Sequence, residues 1–251
     1  WPSSDGADRP VDLTEGPEVT STLVAGAATH PGGRETNQDA VVVGDGVFGL
    51  ADGVGGLSSG EVASRLALDA LTADFATDRT AEGLVHACRQ ANLAVLRRAD
   101  RESVTMGTTL VAVAETTDAG VVAAHVGDSR LYRLRDGNLD ALTRDHTVIA
   151  ELVRAGAVSE DVAEEHPHRN VLTRAVGVRP DLEVDTFELA CRPGDRLLLC
   201  SDGLFKTLTT EEIEEVLASE PNPQDAADQL VAAAVEQQAD DNVSAVVVNV
   251  E

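Results

Sequence analysis

Short apolar runs alternate along this chain with stretches of helical period, in an order without a regular strand–helix–strand repeat. Residues 19–29 read as a strand, and 40–43 with 47–50 as a hairpin turning at Gly44-Asp45-Gly46. Ser58 and Glu61 have capping-box spacing and open a helix. Its apolar positions Val62, Leu66, Ala70 and Leu71 carry it to about Phe75. A second helix, 81–98, repeats the pattern with Leu84, Val85, Leu93, Val95 and Leu96. Strands follow at 108–114, 121–126 and 130–134, and Asp136-Gly137 turns the last into a strand at 139–142. Residues 145–180 break the pattern: a helix at 147–155 leads into a polar loop with two acidic clusters and the run His-Pro-His-Arg-Asn. Strands at 183–189 and 196–200, helices at 210–218 and 224–238, and a continuously apolar strand at 243–250 complete the order. Runs of strands separated by helix pairs predict an α+β sandwich with largely antiparallel sheets. No internal repeat is visible and no linker follows residue 20, so one domain, 20–251, is expected.

The composition narrows what such a domain can do. Aromatic residues are only 2% of 251, so Val, Leu and Ala must fill the core, and few platforms remain for stacking bases. With 44 acidic against 19 basic residues the formal charge is −25, which repels nucleic acid and anionic membrane and attracts metal ions or basic protein segments. Lys206 is the only lysine, which reads as codon bias in a GC-rich genome or adaptation to salt. Cys88, Cys191 and Cys200 are odd in number and lack CxxC spacing, which favours a reducing, cytoplasmic setting. No apolar run approaches the roughly 18 residues of a membrane span. The segment 1–19, rich in Pro, Gly, Ser and Asp, reads as a disordered tail rather than a signal peptide, and a start at Trp1 as a trimmed segment. The single N-x-S triplet, Asn242 to Ser244, falls in an expected strand and reads as chance.

Candidate chemistry lies in five aspartates in turn-like contexts: Asp39 in NQDA, Asp52 in LADGVGG, Asp128 in VGDSR, Asp202 in CSDGL and Asp241 in DDNVS. The first four are expected where an apolar run ends, and Asp241 where one begins. One Asp-Gly or Asp-Ser pair is ordinary turn chemistry. Five converging carboxylates would repel one another unless cations held them, and an all-oxygen site suits Mg²⁺ or Mn²⁺. The glycines beside Asp52 let the backbone pass close to a ligand, so the Gly53 carbonyl could join a cation. The rival reading, a phosphate cradle at a helix start, lacks the Lys-Ser/Thr and the full glycine spacing. Arg34, five residues before Asp39, could clamp a phosphate with its planar guanidinium.

In order, the chain carries R-x-x-N-Q-D-A (34–40), L-A-D-G-x-G-G (50–56), M-G-T-T-L (106–110), V-G-D-S-R-L-Y (126–132), L-L-C-S-D-G-L (198–204) and D-N-V-S (241–244). These six motifs, spread over residues 20–251, resemble the metal-dependent protein phosphatase family, type 2C, in its compact bacterial form. The resemblance implies a four-layer αββα sandwich, two mainly antiparallel sheets flanked by helix pairs. It also implies a binuclear Mn²⁺ or Mg²⁺ centre at one end of the sheets. By that analogy Asp52 bridges two ions, Asp202 and Asp241 complete the first, and the Gly53 carbonyl binds the second. Asp128, with Asp202, matches the position of a weaker third ion; Arg34 matches the phosphate-binding arginine; Asp39 and Asn242 would orient water from outside the ligand set. Residues 145–180 match a flap beside the site. The implied reaction is hydrolysis of phosphoserine and phosphothreonine in proteins by an activated water, without a covalent intermediate, and Cys191 and Arg196 lack the Cys-x5-Arg spacing of cysteine phosphatases. The implied partners are phosphorylated proteins made by serine/threonine kinases, in cytoplasmic signalling, with the enzyme a monomer. A regulatory phosphoprotein as sole target, a phosphoprotein-binding module without turnover, and a two-metal nuclease are the alternatives; the charge and the few aromatics speak against the last. Two departures stand out: Gln38 replaces a glutamate of animal relatives, and Val54 replaces a histidine proposed there as general acid. Leaving-group protonation would then fall to water or to His146, His166 or His168.

Overall fold

The computed structural model describes residues 22–54, 59–164 and 166–251. The expected tail at 1–19 and the capping serine Ser58 lie outside the described residues. Eleven strands form among them. In chain order they are β1 (Leu23–His30), β2 (Asp39–Gly44), β3 (Val47–Val54), β4 (Gly107–Thr108), β5 (Leu110–Thr116) and β6 (Gly120–Val126), then β7 (Arg130–Arg135), β8 (Asn138–Ala141), β9 (Asp185–Leu189), β10 (Arg196–Cys200) and β11 (Val243–Val250). Seven helices accompany them: α1 (Gly60–Phe75), α2 (Ala81–Glu102), α3 (Val148–Arg154), α4 (Glu160–Glu164), α5 (Asp202–Phe205), α6 (Thr210–Ser219) and α7 (Pro223–Glu236). None of these helices is long and apolar enough to cross a membrane.

The strands form two sheets, β1-β11-β10-β7-β8 and β2-β3-β5-β6-β9, with β4 paired to β3, and every pairing is antiparallel. Side chains alternate faces along a strand, so a strand covered on both sides must be apolar throughout. This explains the unbroken runs. In β11, Val243, Ala245 and Val247 pack toward α5, α6 and α7, while Val246 and Val248 face the other sheet. Leu198 and Cys200 of β10 take the helix side, and Leu197 and Leu199 the inner side. In β5, Leu110, Ala112 and Ala114 meet α1 and α2, and Val111 and Val113 point inward. Three apolar cores therefore separate four layers: helix pair, sheet, sheet, helices. The α+β sandwich expected from the order of elements is the architecture found.

The helices begin where the sequence supplies caps. Thr209 and Glu212 form a reciprocal capping box at α6, Asn222 accepts the Gln224 and Asp225 amides at α7, and Thr80 caps α2 through the Gly83 amide. At α1 the N-cap residue is Ser59, whose side chain makes no capping bond.

Residues 145–180 are stitched to the sandwich at both ends. At the start, Arg130 donates two bonds to Asp145, at 2.9 and 2.8 Å, and lies 3.8 Å above the Phe205 ring. The His146 amide bonds the Gly127 carbonyl, and the Gly127 amide donates to His146 Nδ1. At the far end the buried Asn92 of α2 accepts from the Gly177 amide at 2.7 Å and donates to the Arg179 carbonyl at 2.8 Å. Replacing Asn92 with Ala would strand these buried backbone groups, each deprived partner costing about 1–3 kcal/mol. Denaturant unfolding of Asn92→Ala is expected to show a loss in that range; a loss below about 0.5 kcal/mol would contradict the anchoring role.

Candidate metal centre

All five aspartates reach one end of the two sheets, by different routes. Asp39 and Asp52 do not end strands: Asp39 opens β2, Asp52 lies inside β3, and the two face each other in the antiparallel register. The expectation failed there because hairpin pairing carried both strands past the apolar run. Asp128 follows β6, Asp202 is the first residue of α5 directly after β10, and Asp241 lies two residues before β11. Charge from Asp39, Asp202, Asp128 and Asp241 all bears on Asp52.

The polar residues around them act as backbone clamps. The Asp52 amide donates to Thr109 Oγ1 at 2.9 Å, and the Asp52 carbonyl accepts from the Thr109 amide and from Thr108 Oγ1, each at 2.8 Å. Thr109 Oγ1 also shares a 2.7 Å bond with Ser129 Oγ, which couples Asp52 to the turn that bears Asp128. Gly203 lies so close to the 241–242 turn that a Cβ there would sit 2.2 Å from the Asn242 carbonyl. Only glycine permits that approach, and it sets the turns of Asp202 and Asp241 side by side. Gly53 is packed as tightly, since a Cβ would lie 2.4 Å from the backbone of Gly60 at the start of α1.

Asn242 serves the loop rather than open space. Its Oδ1 accepts from the Gln38 amide at 2.8 Å, and its Nδ2 donates to the Pro31 and Thr36 carbonyls, each at 2.9 Å. This grip holds loop 31–38, and with it Arg34, whose guanidinium donates to Asp241 Oδ2 at 2.8 Å. The Arg34 side chain is 56% exposed, so its remaining donors face solvent.

A second cation was not assigned any role from sequence. Lys206 Nζ donates to Asp202 Oδ2 at 2.6 Å and to Asn170 Oδ1 at 3.0 Å. Its signal was present: the sole lysine, one helical turn after an aspartate of the set.

The carboxylates are electrostatically strained. Burial, followed by the neighbouring Asp202, pushes Asp128 up to about 7. Burial pushes Asp39 up to about 6, with Asp202 adding to it and the nearby hydroxyls of Ser244 and Ser201 opposing it. Burial and the four other carboxylates hold Asp52 well above the usual range. Both Asp39 oxygens and Asp202 Oδ1 are buried acceptors without a hydrogen-bond partner. Unpartnered carboxylate oxygens crowded against like charges are what hard divalent cations satisfy, so the residues present fit Mn²⁺ or Mg²⁺.

The insert histidines are otherwise engaged. His146 accepts at Nδ1 from Gly127, and its Nε2 faces Asp185 at 3.0 Å and Arg174 at 3.4 Å. His125, buried with neither ring nitrogen partnered, stacks on it at 4.7 Å. His125, His146 and Asp185 could together face a metal ion. However, a Nδ1 that accepts leaves the proton on Nε2, and the Arg174 guanidinium stands beside it, so this cluster reads as a hydrogen-bonded strut. His166 and His168 pair with each other at 5.6 Å. Val54, where a histidine was considered, is 38% exposed.

Residues 27–245 match the family described as Protein phosphatase 2C. The chain is 38% identical over 224 residues to the serine/threonine phosphatase stp of Listeria monocytogenes, covering 86% of each. It superposes on the crystal structure of the PPM Ser-Thr phosphatase MsPP from Mycobacterium smegmatis, in complex with cacodylate, with a TM-score of 0.84 and 42% identity over 91% of this chain and 98% of that one. The catalytic domain of the serine threonine protein phosphatase PstP, solved with 2 manganese ions, superposes at 0.79 with 34% identity over 91% and 98%.

Because Asp39 and Asp128 hold protons in the fold at a pH where the unfolded chain has released them, their contribution to stability is present below about pH 4 and is lost as pH rises through about 6 for Asp39 and about 7 for Asp128, with Asp52 raised in the same direction. With a chelator present, the unfolding midpoint is expected to fall between pH 5 and pH 8. Asp52→Asn and Asp128→Asn are expected to fall less. An identical decline in both variants would contradict the charge crowding.

Proposed function

The chain belongs to the protein phosphatase 2C family and is a metal-dependent serine/threonine phosphatase, and from that premise we propose which of its residues carry the reaction. Asp52 would hold both of two ions, Asp202 and Asp241 would complete one of them, and the Gly53 carbonyl would join the other. What supports this is the convergence of five carboxylates, three of whose oxygens are buried without a donor. Bound there, two divalent ions supply a water that is nucleophilic at neutral pH and neutralise charge on the phosphoryl oxygens.

The chain's own groups do the rest. Arg34 rests on Asp241 with donors facing solvent, so an arriving phosphate can take them in a two-pronged bond. Charge developing on the phosphoryl oxygens in line with the attack is met by the same guanidinium. Asp39, with no donor on either oxygen, is free to accept from the attacking water and aim it. Asn242 acts on Arg34 through the loop it grips. A thiol nucleophile finds no support: burial pushes Cys88, Cys191 and Cys200 each up to about 12. Since His146 is bound at both ring nitrogens, leaving-group protonation is left to water, His166 or His168.

Asn170 brings the 145–180 segment against Lys206 and so to the edge of the carboxylates, which suits that segment to touch a phosphoprotein substrate. We place the enzyme in cytoplasmic signalling, as a monomer acting on the products of serine/threonine kinases; the three free cysteines support the reducing compartment.

With Mn²⁺, the protein is expected to hydrolyse p-nitrophenyl phosphate and phosphothreonine peptides. No turnover by the wild type would sink the reading. Asp52→Asn and Asp241→Asn are each expected to abolish turnover with the circular dichroism spectrum retained, and near-wild-type rates in both would refute the ligand assignment. Arg34→Ala is expected to raise KM by about tenfold or more, the loss of a charge-assisted bond.

A further inference from the structure

Two cations of the chain touch the carboxylate cluster, and they are held differently. Arg34 reaches Asp241 from a loop, and more than half of its side chain is open to solvent. Lys206 is fixed from two sides. It follows Asp202 by four residues, at the C-cap of α5, and donates to its Oδ2 at 2.6 Å, while Asn170 accepts from the same nitrogen at 3.0 Å. The negative charge around the Lys206 ammonium comes first from Asp202, and then from Asp128 and Asp52. An ammonium has three donors. Two go to Asp202 and Asn170, and Asp128 draws the same nitrogen by its charge.

We propose that the Lys206 ammonium is a resident cation of the centre, holding the Asp202 oxygen that a third divalent ion would otherwise share with Asp128. The chain then takes up two ions. This inference rests on the metal-centre reading above. It alters the expected role of Asp128, whose counter-charge becomes Lys206 rather than a metal. A further ion could enter only by displacing a lysine tethered to its own ligand and to the insert. The chemistry of the side chain allows this substitution of roles: an ammonium is a compact point charge with hydrogen-bond donors, and so meets carboxylate oxygens much as a small cation does.

The test counts ions rather than turnover. The full chain is stripped with a chelator and titrated with MnCl₂, and free Mn²⁺ is followed by electron paramagnetic resonance. Two ions are expected at saturation for the wild type and for Lys206→Arg. Three are expected for Lys206→Met, and two again when Asp128→Asn is added to it. Circular dichroism checks the fold of each variant, and Lys206→Gln stands in if Lys206→Met does not fold. Three ions in the wild type, or equal counts in the wild type and a folded, uncharged Lys206 variant, would overturn the proposal. If the wild type bound no Mn²⁺, the metal-centre reading itself would fall, and the proposal with it.

Discussion

Mutual repulsion among Asp39, Asp52, Asp128, Asp202 and Asp241 is the constraint around which one end of the molecule is built. Like charges brought from water to a partly buried rim lose solvation and gain repulsion together. Arg34 and Lys206 each offset one of them, at Asp241 and Asp202. Their positions are imposed by backbone: the Asp39–Asp52 register, the threonine clamp on Asp52, and the contact of Gly203 with the 241–242 turn. The fold thus spends stability on geometry, and cations return it on binding.

A rigid support is needed for that, and a core almost without aromatics supplies it. Small aliphatic side chains alternate across strands β3, β5, β10 and β11, so both faces of each sheet are packed. Interiors of this density transmit displacement rather than absorb it. Strand ends and the first turn of α5 therefore keep carboxylates aimed at a shared point. Arg34 is held through the Asn242 grip on its loop, and the 145–180 segment through Arg130, Asn92 and Asn170.

Much of this was legible in the sequence because its signals are local. The closing strand 243–250 and the strand 196–200 were read to the residue, since a run buried on both faces is continuous in type and bounded by polar turns. The second helix ran four residues beyond its expected end, to Glu102, because Ser103 rather than a glycine takes the left-handed closing position. Non-local or very short features were not legible. A four-residue helix such as α5 has no period to detect. The facing of Asp39 and Asp52 depends on hairpin register. The roles of Asn242 and Lys206 depend on partners more than 200 and 36 residues away in sequence, apart from the single i,i+4 contact of Lys206 with Asp202. The glycines of the motifs could be recognised, but the backbones they admit could not.

The central claim is that these carboxylates are brought together to share divalent cations. Diffraction from crystals grown with Mn²⁺, recorded on either side of the manganese absorption edge, tests it most directly. Two anomalous peaks are expected, with Asp52 oxygen bound to both and Asp202 and Asp241 bound to one. Peaks elsewhere on the acidic surface, or an Asp52 carboxylate that contacts neither ion, would contradict it.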